Sequence, residues 1–426
     1  MGDRPGREAL GRLARRFGAL RVRDLRFVFG ATLASNLGDG IVSVALAFAV
    51  LDLTGSAADL GIVFAAKMAA QVSVMLVGGV VADRISRRSV MIAADLGRCC
   101  SQVAIGVLLI TRHANVAEIA VSQVMLGVGS AFFIPASRGL LSTVAGEHAQ
   151  EASALQTIAG SGANLLGPAL GGVLVATIGA SWAMVFDGVS YLLSAILLSG
   201  VAKTHAMLMR DLAARSFVAD IADGFREVRS RTWLWFAIVV MAVGNILFTV
   251  WPVLAPLICK QHYGGAPAYA ALGVSMTAGL LAGGVVLLFI TPRYLLRVAM
   301  AASIPWTVPG ILLGLHLPIV VVCVSQFVAA LGISLEGSLL WIAIQQSVHA
   351  DAISRVASWE YAATTSIMPL GYLLVGPLEQ AVGASAALVW CSAAVILVTC
   401  TCFLLRDVRM LERLPSSAPV AVAGEG

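Results

Sequence analysis

Charge is what this sequence lacks most. Only 12% of its 426 residues are Asp, Glu, Lys or Arg, against roughly 25% in soluble domains. With 59% hydrophobic residues and a mean hydropathy of +0.91, a soluble protein of this length is excluded. No Gly-x-x-x-x-Gly-Lys-Ser/Thr loop is present, so nucleotide-driven work requires a partner protein. The seven cysteines (Cys99, Cys100, Cys259, Cys323, Cys391, Cys400 and Cys402) have no metal-ligand spacing and read as small apolar packing residues. The six histidines, His113, His148, His205, His262, His316 and His349, fall in or near expected loops and suggest no catalytic centre. The sequence therefore points away from an enzyme and away from any metal or cofactor. Its first 26 residues are rich in Arg and lack the apolar core of a cleaved signal peptide. Leu10, Leu13, Phe17 and Leu20 have helical spacing there, which suits a segment on the inner membrane surface or a tail held near anionic lipid.

What the chain has instead is long apolar runs. About twelve approach the ~20 residues needed to cross a bilayer. They lie near 27–51, 59–82, 89–111, 116–137, 152–177, 181–201, 232–258, 267–291, 298–316, 318–346, 355–378 and 383–405. Glycine is abundant, with 42 residues, as expected where helices pack closely in lipid. Basic residues concentrate before span 1, in the middle loop, in the other even-numbered loops and in the tail. The odd-numbered loops hold only Arg112 and Lys260. The positive-inside rule then puts both termini and the middle loop in the cytoplasm, which requires an even number of spans. The basic residues track membrane topology, so a nucleic-acid role is not expected.

The expected organisation is a basic segment 1–26, a six-helix bundle 27–201, a linker 202–231, a second six-helix bundle 232–405 and a tail 406–426. The halves are weakly self-similar. A shift of 204 residues lays Val144, Glu147, Gly167, Gly172, Gly179 and Ala180 onto Val348, Asp351, Gly371, Gly376, Gly383 and Ala384. Asn36 corresponds to Asn245 at a shift of 209. Parallel repeats of this kind place a substrate site near the membrane midplane between two rocking halves.

Between spans 2 and 3 the chain reads Gly79-Val-Val-Ala-Asp83-Arg84-Ile-Ser-Arg87-Arg88. That much charge must lie at a membrane surface. The pattern Gly-x-x-x-Asp-Arg-x-x-Arg-Arg resembles the signature loop of the major facilitator superfamily, with Ser86 where the family has Gly. The resemblance implies an all-α integral membrane protein of twelve helices in two pseudo-symmetric bundles. It also implies that Asp83 latches the cytoplasmic end of helix 11 and that Arg84, Arg87 and Arg88 add ion pairs; the plainer alternative is that these Arg are only topological anchors. Asp95 and Arg98, one turn apart in span 3, are expected to pair and brace this gate. Gly167-Pro168-x-x-Gly171-Gly172 in span 5 is similar to the antiporter motif of the superfamily's exporters. In span 4, Gln123 followed by Gly127 stands where proton-driven exporters often have Arg-x-x-x-Gly. Leu37-Gly38-Asp39, Lys67, Ala82-Asp83-Arg84 and Phe133-x-Pro135-Ala136 resemble macrolide and siderophore efflux proteins.

An ionisable residue inside a span is a functional hypothesis by default. Asp39 lies ~18 Å from the inner surface at ~1.5 Å per residue. That leaves it ~12 Å from the outer surface of a ~30 Å core, the depth also expected for Lys67. The two are expected to form or exchange an ion pair. Ser35, Asn36, Asp39 and Ser43 make a polar stripe suited to a water-filled cavity, with Gln71 and Gln123 as further lining candidates. Glu336 in span 10 has no sequence-local partner and suits proton pickup, contact with a cationic substrate, or a reach to the cytoplasmic interface. Glu360 is similar but shallower, and Asp187 in span 6 is ambiguous. Asn245, Thr249 and Trp251 are candidates to line the second half of the cavity.

The expected function is export of a drug, antibiotic or other natural product across a bacterial cytoplasmic membrane by a monomer, with Asp39 and Glu336 as proton carriers and only substrate, protons and lipid as partners. An importer of a small nutrient or organic anion, and a transport-silent sensor or scaffold, remain alternatives.

Overall fold

The computed structural model describes residues 22–84, 86–202, 225–226, 228–348 and 350–412; the side chains of residues 76–84, 147, 350–355, 357–358 and 407 lie outside that description. The described residues are nearly all helical, and their sole β pairing is an isolated bridge between Tyr294 and Glu412. Eleven helical stretches among them are long and apolar enough to cross a membrane. The remaining expected span, the eleventh, is present but broken. It consists of α13 (Ala350–Thr365) and α14 (Met368–Val382), each too short alone.

The chain divides into two compact units, Met1–Thr54 with Ala66–Leu208, and Gly55–Ala65 with Met209–Gly426. The first unit is built from unbroken helices: α1 (Arg23–Thr54), most of α2 (Ala57–Arg84), α3 (Arg87–Ile110), α4 (Val116–Ala145), α5 (Ala149–Ile178) and α6 (Ala180–Ser199). Helix α4 runs eight residues past the expected end at 137, carried through Pro135, before Gly146 stops it at φ +49°. Its start is set by a reciprocal cap, in which Asn115 Oδ1 accepts from the Glu118 amide and Glu118 Oε2 accepts from the Asn115 amide, both at 2.9 Å.

The second unit has helices interrupted where proline removes a backbone donor. The seventh span is α7 (Thr232–Phe248) and α8 (Val250–His262); Pro252 has no N–H to return to the Phe248 carbonyl. The ninth is α10 (Leu295–Ser303) and α11 (Val308–Gly314), joined by a tight turn at Ile304–Thr307 with Pro305 and Pro309. The eleventh breaks before Pro369. Helices α9 (Ala266–Leu287), α12 (Ile319–Ser347) and α15 (Ala384–Thr401) are continuous.

Two glycines matched by the internal repeat have the same backbone shape. Gly179 joins α5 to α6 at φ +90°, ψ 161°, and Gly383 joins α14 to α15 at φ +83°, ψ 156°. Only glycine adopts that geometry without strain.

Close packing in the first unit depends on bare backbone. A Cβ on Gly167 would lie 2.6 Å from the Gly40 Cα, and one on Gly171 would lie 2.6 Å from the Ile41 carbonyl oxygen. The glycines of the span 5 motif therefore seat α5 against α1. A Cβ on Gly162 meets nothing within 4 Å. Gly40→Ala and Gly167→Ala are each expected to cost ~1–3 kcal/mol through overpacking. Gly162→Ala, which gains helix propensity, should be neutral or stabilising. Thermal unfolding of the detergent-purified variants checks the ranking, and equal melting points would refute it.

Candidate transport site

Helix α6 carries Asp187, Tyr191 and Ser194 at i, i+4 and i+7, on one face. All three are fully buried. Each meets a different polar group of the first unit. The Gln102 amide on α3 donates to Asp187 Oδ2 at 2.6 Å. The Tyr191 hydroxyl donates to Asp39 Oδ1 on α1 at 2.6 Å. The Ser194 hydroxyl donates to Asp95 Oδ2 on α3 at 2.6 Å. Asp95 and Arg98 form an ion pair inside the protein, with side chains 0% and 2% exposed. The guanidinium also lies 4.3 Å from the Tyr191 ring centre and 4.4 Å from that of Phe133 on α4, a stabilising use of aromatic faces for a desolvated cation.

Tyr191 therefore links Asp39 to the Arg98–Asp95 pair, and Asp187 lies one turn away on the same face of α6. Gln102 extends it, since Ser122 Oγ on α4 donates to Gln102 Oε1 at 3.4 Å and accepts from Ser101 at 3.0 Å. Two helix contacts place it. Gly38 lets α6 approach, because a Cβ there would strike Ser190 Oγ and Asp187 Oδ1. Gly129 does the same for Arg98, whose Cγ would be 2.6 Å from a Cβ at that position.

The expected Asp39–Lys67 ion pair is not formed. Asp39 is half-buried and bonds Tyr191, while Lys67, half-buried on α2, makes no ion pair among the described residues. Its Gly127 neighbour packs on the Lys67 backbone, so α2 and α4 meet here through main chain. Lys67 still acts electrostatically on Asp187, as do Asp39 and Arg98. Of the polar stripe on α1, Ser35 is buried, Asn36 is half-buried near Gly160, and Ser43 returns its hydroxyl to the Gly40 carbonyl at 2.6 Å. Gln71 is half-buried. Gln123 is fully buried, and neither its amide oxygen nor its nitrogen has a partner among the described residues.

The signature loop is only partly described. The side chains of Gly79, Asp83 and Arg84 lie outside the described residues, so the latch assigned to Asp83 has no geometry here. Arg87 and Arg88 were expected to make ion pairs; they bond helix carbonyls instead. Arg87 Nη1 donates to Gly139 O at 2.7 Å and to Thr143 Oγ1 at 3.1 Å. Arg88 donates to Leu198 O at 2.9 Å and Ser199 O at 2.5 Å. Leu198 and Ser199 are among the last carbonyls of α6, which have no intrahelical donor, and a cation there also offsets the helix dipole, whereas Gly139 lies within α4. The two arginines thus tie α4 and the end of α6 to the start of α3. In the antiporter motif, Gly167, Gly171 and Gly172 are buried and Pro168 is half-buried.

In the second unit, Asn245 Nδ2 donates to Thr364 O on α13 at 3.1 Å. Thr249 is buried beside Gly371. Trp251 borders a small cavity with Phe248, Trp306 and Gln326, the Phe248 and Trp306 rings stacking at 4.9 Å. Glu336 and Glu360 are half-buried on α12 and α13. No group of three or more His, Cys, Asp or Glu among the described residues is placed to hold a metal ion. Tyr191, Gln102 and Ser194 are the site residues that sequence reasoning missed. The signal was there in the i, i+4, i+7 spacing on span 6, which reads equally well as ordinary helix packing.

The family model described as the Major Facilitator Superfamily matches residues 28–368. The chain belongs to that superfamily. It is a multi-pass membrane transporter, consistent with its relatives and with its helical fold. It is 25% identical over 406 residues to the multidrug efflux pump Tap of Mycolicibacterium fortuitum, covering 91% of this chain and 97% of the pump. It is 21% identical over 405 residues to macrolide efflux protein A of Streptococcus pyogenes, covering 90% and 96%. Among solved structures, the nucleoside transporter NupG superposes with a TM-score of 0.71 at 14% identity, covering 89% of this chain and 98% of that one.

Breaking the buried ion pair should be costly. Asp95→Asn leaves Arg98 without its counter-charge, a loss of ~3–5 kcal/mol. Tyr191→Phe keeps the ring on Arg98 and removes only one hydrogen bond to a half-buried acceptor, about 1 kcal/mol. Melting temperatures of the two variants in detergent test the order, and a Tyr191→Phe protein less stable than Asp95→Asn would contradict it.

Proposed function

We propose that this superfamily member is a proton-driven exporter of drug-like or natural-product small molecules, working by alternating access in the plasma membrane of a bacterium with both termini in the cytoplasm. The observation that carries the reading is Asp39. It is a half-buried carboxyl inside a membrane-spanning helix, held by the Tyr191 hydroxyl and lacking an ion-pair partner among the described residues. A group so placed can gain and lose a proton without breaking a salt bridge. Glu336 on α12 is the corresponding candidate in the second unit. The similarity to the multidrug efflux pump Tap and to macrolide efflux protein A, over about nine-tenths of this chain, supports export of drug-like molecules.

One observation favours a second reading. Lys67 makes no ion pair among the described residues, and an unneutralised cation in a membrane protein suits an anionic substrate. The fold does not decide direction, since it is shared with a nucleoside transporter.

The deciding experiment expresses the chain in an efflux-deficient bacterium and follows accumulation of ethidium and a macrolide, with and without a protonophore. Lower accumulation that the protonophore abolishes, and that Asp39→Asn returns to the vector-control level, is the expected result. Higher accumulation than the control identifies an importer. Export by Asp39→Asn at the wild-type rate and with wild-type protonophore sensitivity overturns the role of Asp39.

A further inference from the structure

Among the described residues of the first unit away from helix ends, the buried and half-buried carboxyl groups Asp39, Asp95 and Asp187 outnumber the buried and half-buried cations Lys67 and Arg98. Arg98 is taken by Asp95. Asp39 and Asp187 remain, with Lys67 as the one other cation acting on Asp187, and Lys67 is bonded to neither. Asp187 is the more deeply placed of the two acids. It is 0% exposed, whereas Asp39 is half-buried. One Asp187 oxygen accepts from Gln102, and the other, Oδ1, is buried against the Gly38 backbone without a partner among the described residues. The Ser190 hydroxyl beside it donates to the Asp187 backbone carbonyl instead. An ionised carboxylate with half its acceptors unmet in a dry interior is far more costly than its neutral acid. The groups that face Asp187 are Asp39 from α1, Lys67 from α2, Arg98 and Cys99 from α3, and Tyr191 one turn along its own helix.

We infer that Asp187 is a second proton-carrying carboxyl of the transport cycle, paired with Asp39 through the Asp187–Tyr191 face of α6. This rests on the proton-coupled reading above and extends it to a residue in another helix. The proton resides on Asp187 Oδ1 while Asp39 is ionised and bonded by Tyr191. When Asp39 takes up a proton, its hold on the Tyr191 hydroxyl weakens and the electrostatic pressure on Asp187 falls. Asp187 then releases its own proton once the site is opened to water. No bond other than O–H forms or breaks, and each proton comes from and returns to water.

Asp187→Asn tests this, because asparagine keeps an oxygen for Gln102 and imitates the neutral acid; Asp187→Ser is the second variant if the first does not fold. Infrared spectra of the lipid-reconstituted protein read the carboxyl directly and need no substrate. The wild type should show a protonated-carboxyl C=O band that both variants lack and that disappears as the pH is raised. A wild-type spectrum identical to that of Asp187→Asn at every pH, or a band that no alkaline pH removes, overturns the inference. In proteoliposomes with ethidium as probe and pyranine inside, Asp187→Asn should move at least twofold fewer protons per ethidium than the wild type. An unchanged ratio overturns it. Wild-type protein that moves ethidium with no proton flux overturns the proton-coupled reading and this inference together. Proton coupling in the wild type that Asp39→Asn abolishes and Asp187→Asn leaves intact overturns this inference alone.

Discussion

An arginine 2% exposed inside a membrane-spanning helix must find its counter-charge within the protein. Arg98 finds it in Asp95, one turn earlier on the same helix, but the pair is not self-sufficient. Two other helices add partners, Ser194 and the Tyr191 ring from α6 and the Phe133 ring from α4, while Arg98 Nε has no hydrogen-bond partner among the described residues. The requirement to satisfy one desolvated ion pair therefore fixes the relative placement of three helices. Gly129 and Gly38 are small because these contacts leave no room for a Cβ. Asp39 is held by the same Tyr191 whose ring covers Arg98, so the electrostatics of the proposed proton site and of the structural ion pair share a side chain.

The two units solve the same lipid problem differently. The first keeps its helices whole and brings them together on glycine, with Gly40 against Gly167 and Gly171 against Ile41. The second breaks three of its spans near prolines, at Thr249, at Ile304–Thr307 and at Ser366. Backbone freed at such breaks is tolerated in a membrane only where the protein itself supplies partners. At the first break Thr249 is buried, and both its amide and its hydroxyl donate to the Ile246 carbonyl, at 3.1 and 2.6 Å. The span 5 glycine motif, read from sequence as a functional sign, is first of all a packing device between α5 and α1.

Much of the fold was legible because hydrophobic length is a strong signal. The expected spans fall within a few residues of observed helices, apart from the late end of α4 and the proline breaks, where a helix of uninterrupted apolar composition gives no boundary. The match of Gly179 with Gly383 was legible as well, and both adopt the same positive-φ turn. The site was less legible. Depth counting put Asp39 and Lys67 at one level but cannot say how each helix is rotated, and rotation turns Asp39 towards Tyr191. The arginines of the signature loop looked like ion-pair formers because sequence shows charge, whereas the carbonyls they bond at Gly139, Leu198 and Ser199 are backbone groups common to every residue.

The sequence alone determined that this chain spans a membrane many times and that its first half carries an Asp-Arg-rich turn and buried acids, because scarcity of charge and long apolar runs are properties of composition and order. It also determined which positions are glycine and proline, and hence where helices can touch or break. Only the tertiary structure decided that Asp187, Tyr191 and Ser194 form one buried face serving three different partners. The reason is physical: a hydrogen bond at 2.6 Å depends on helix rotation and separation, and these are set by packing contacts summed over the whole unit rather than by any local run of residues.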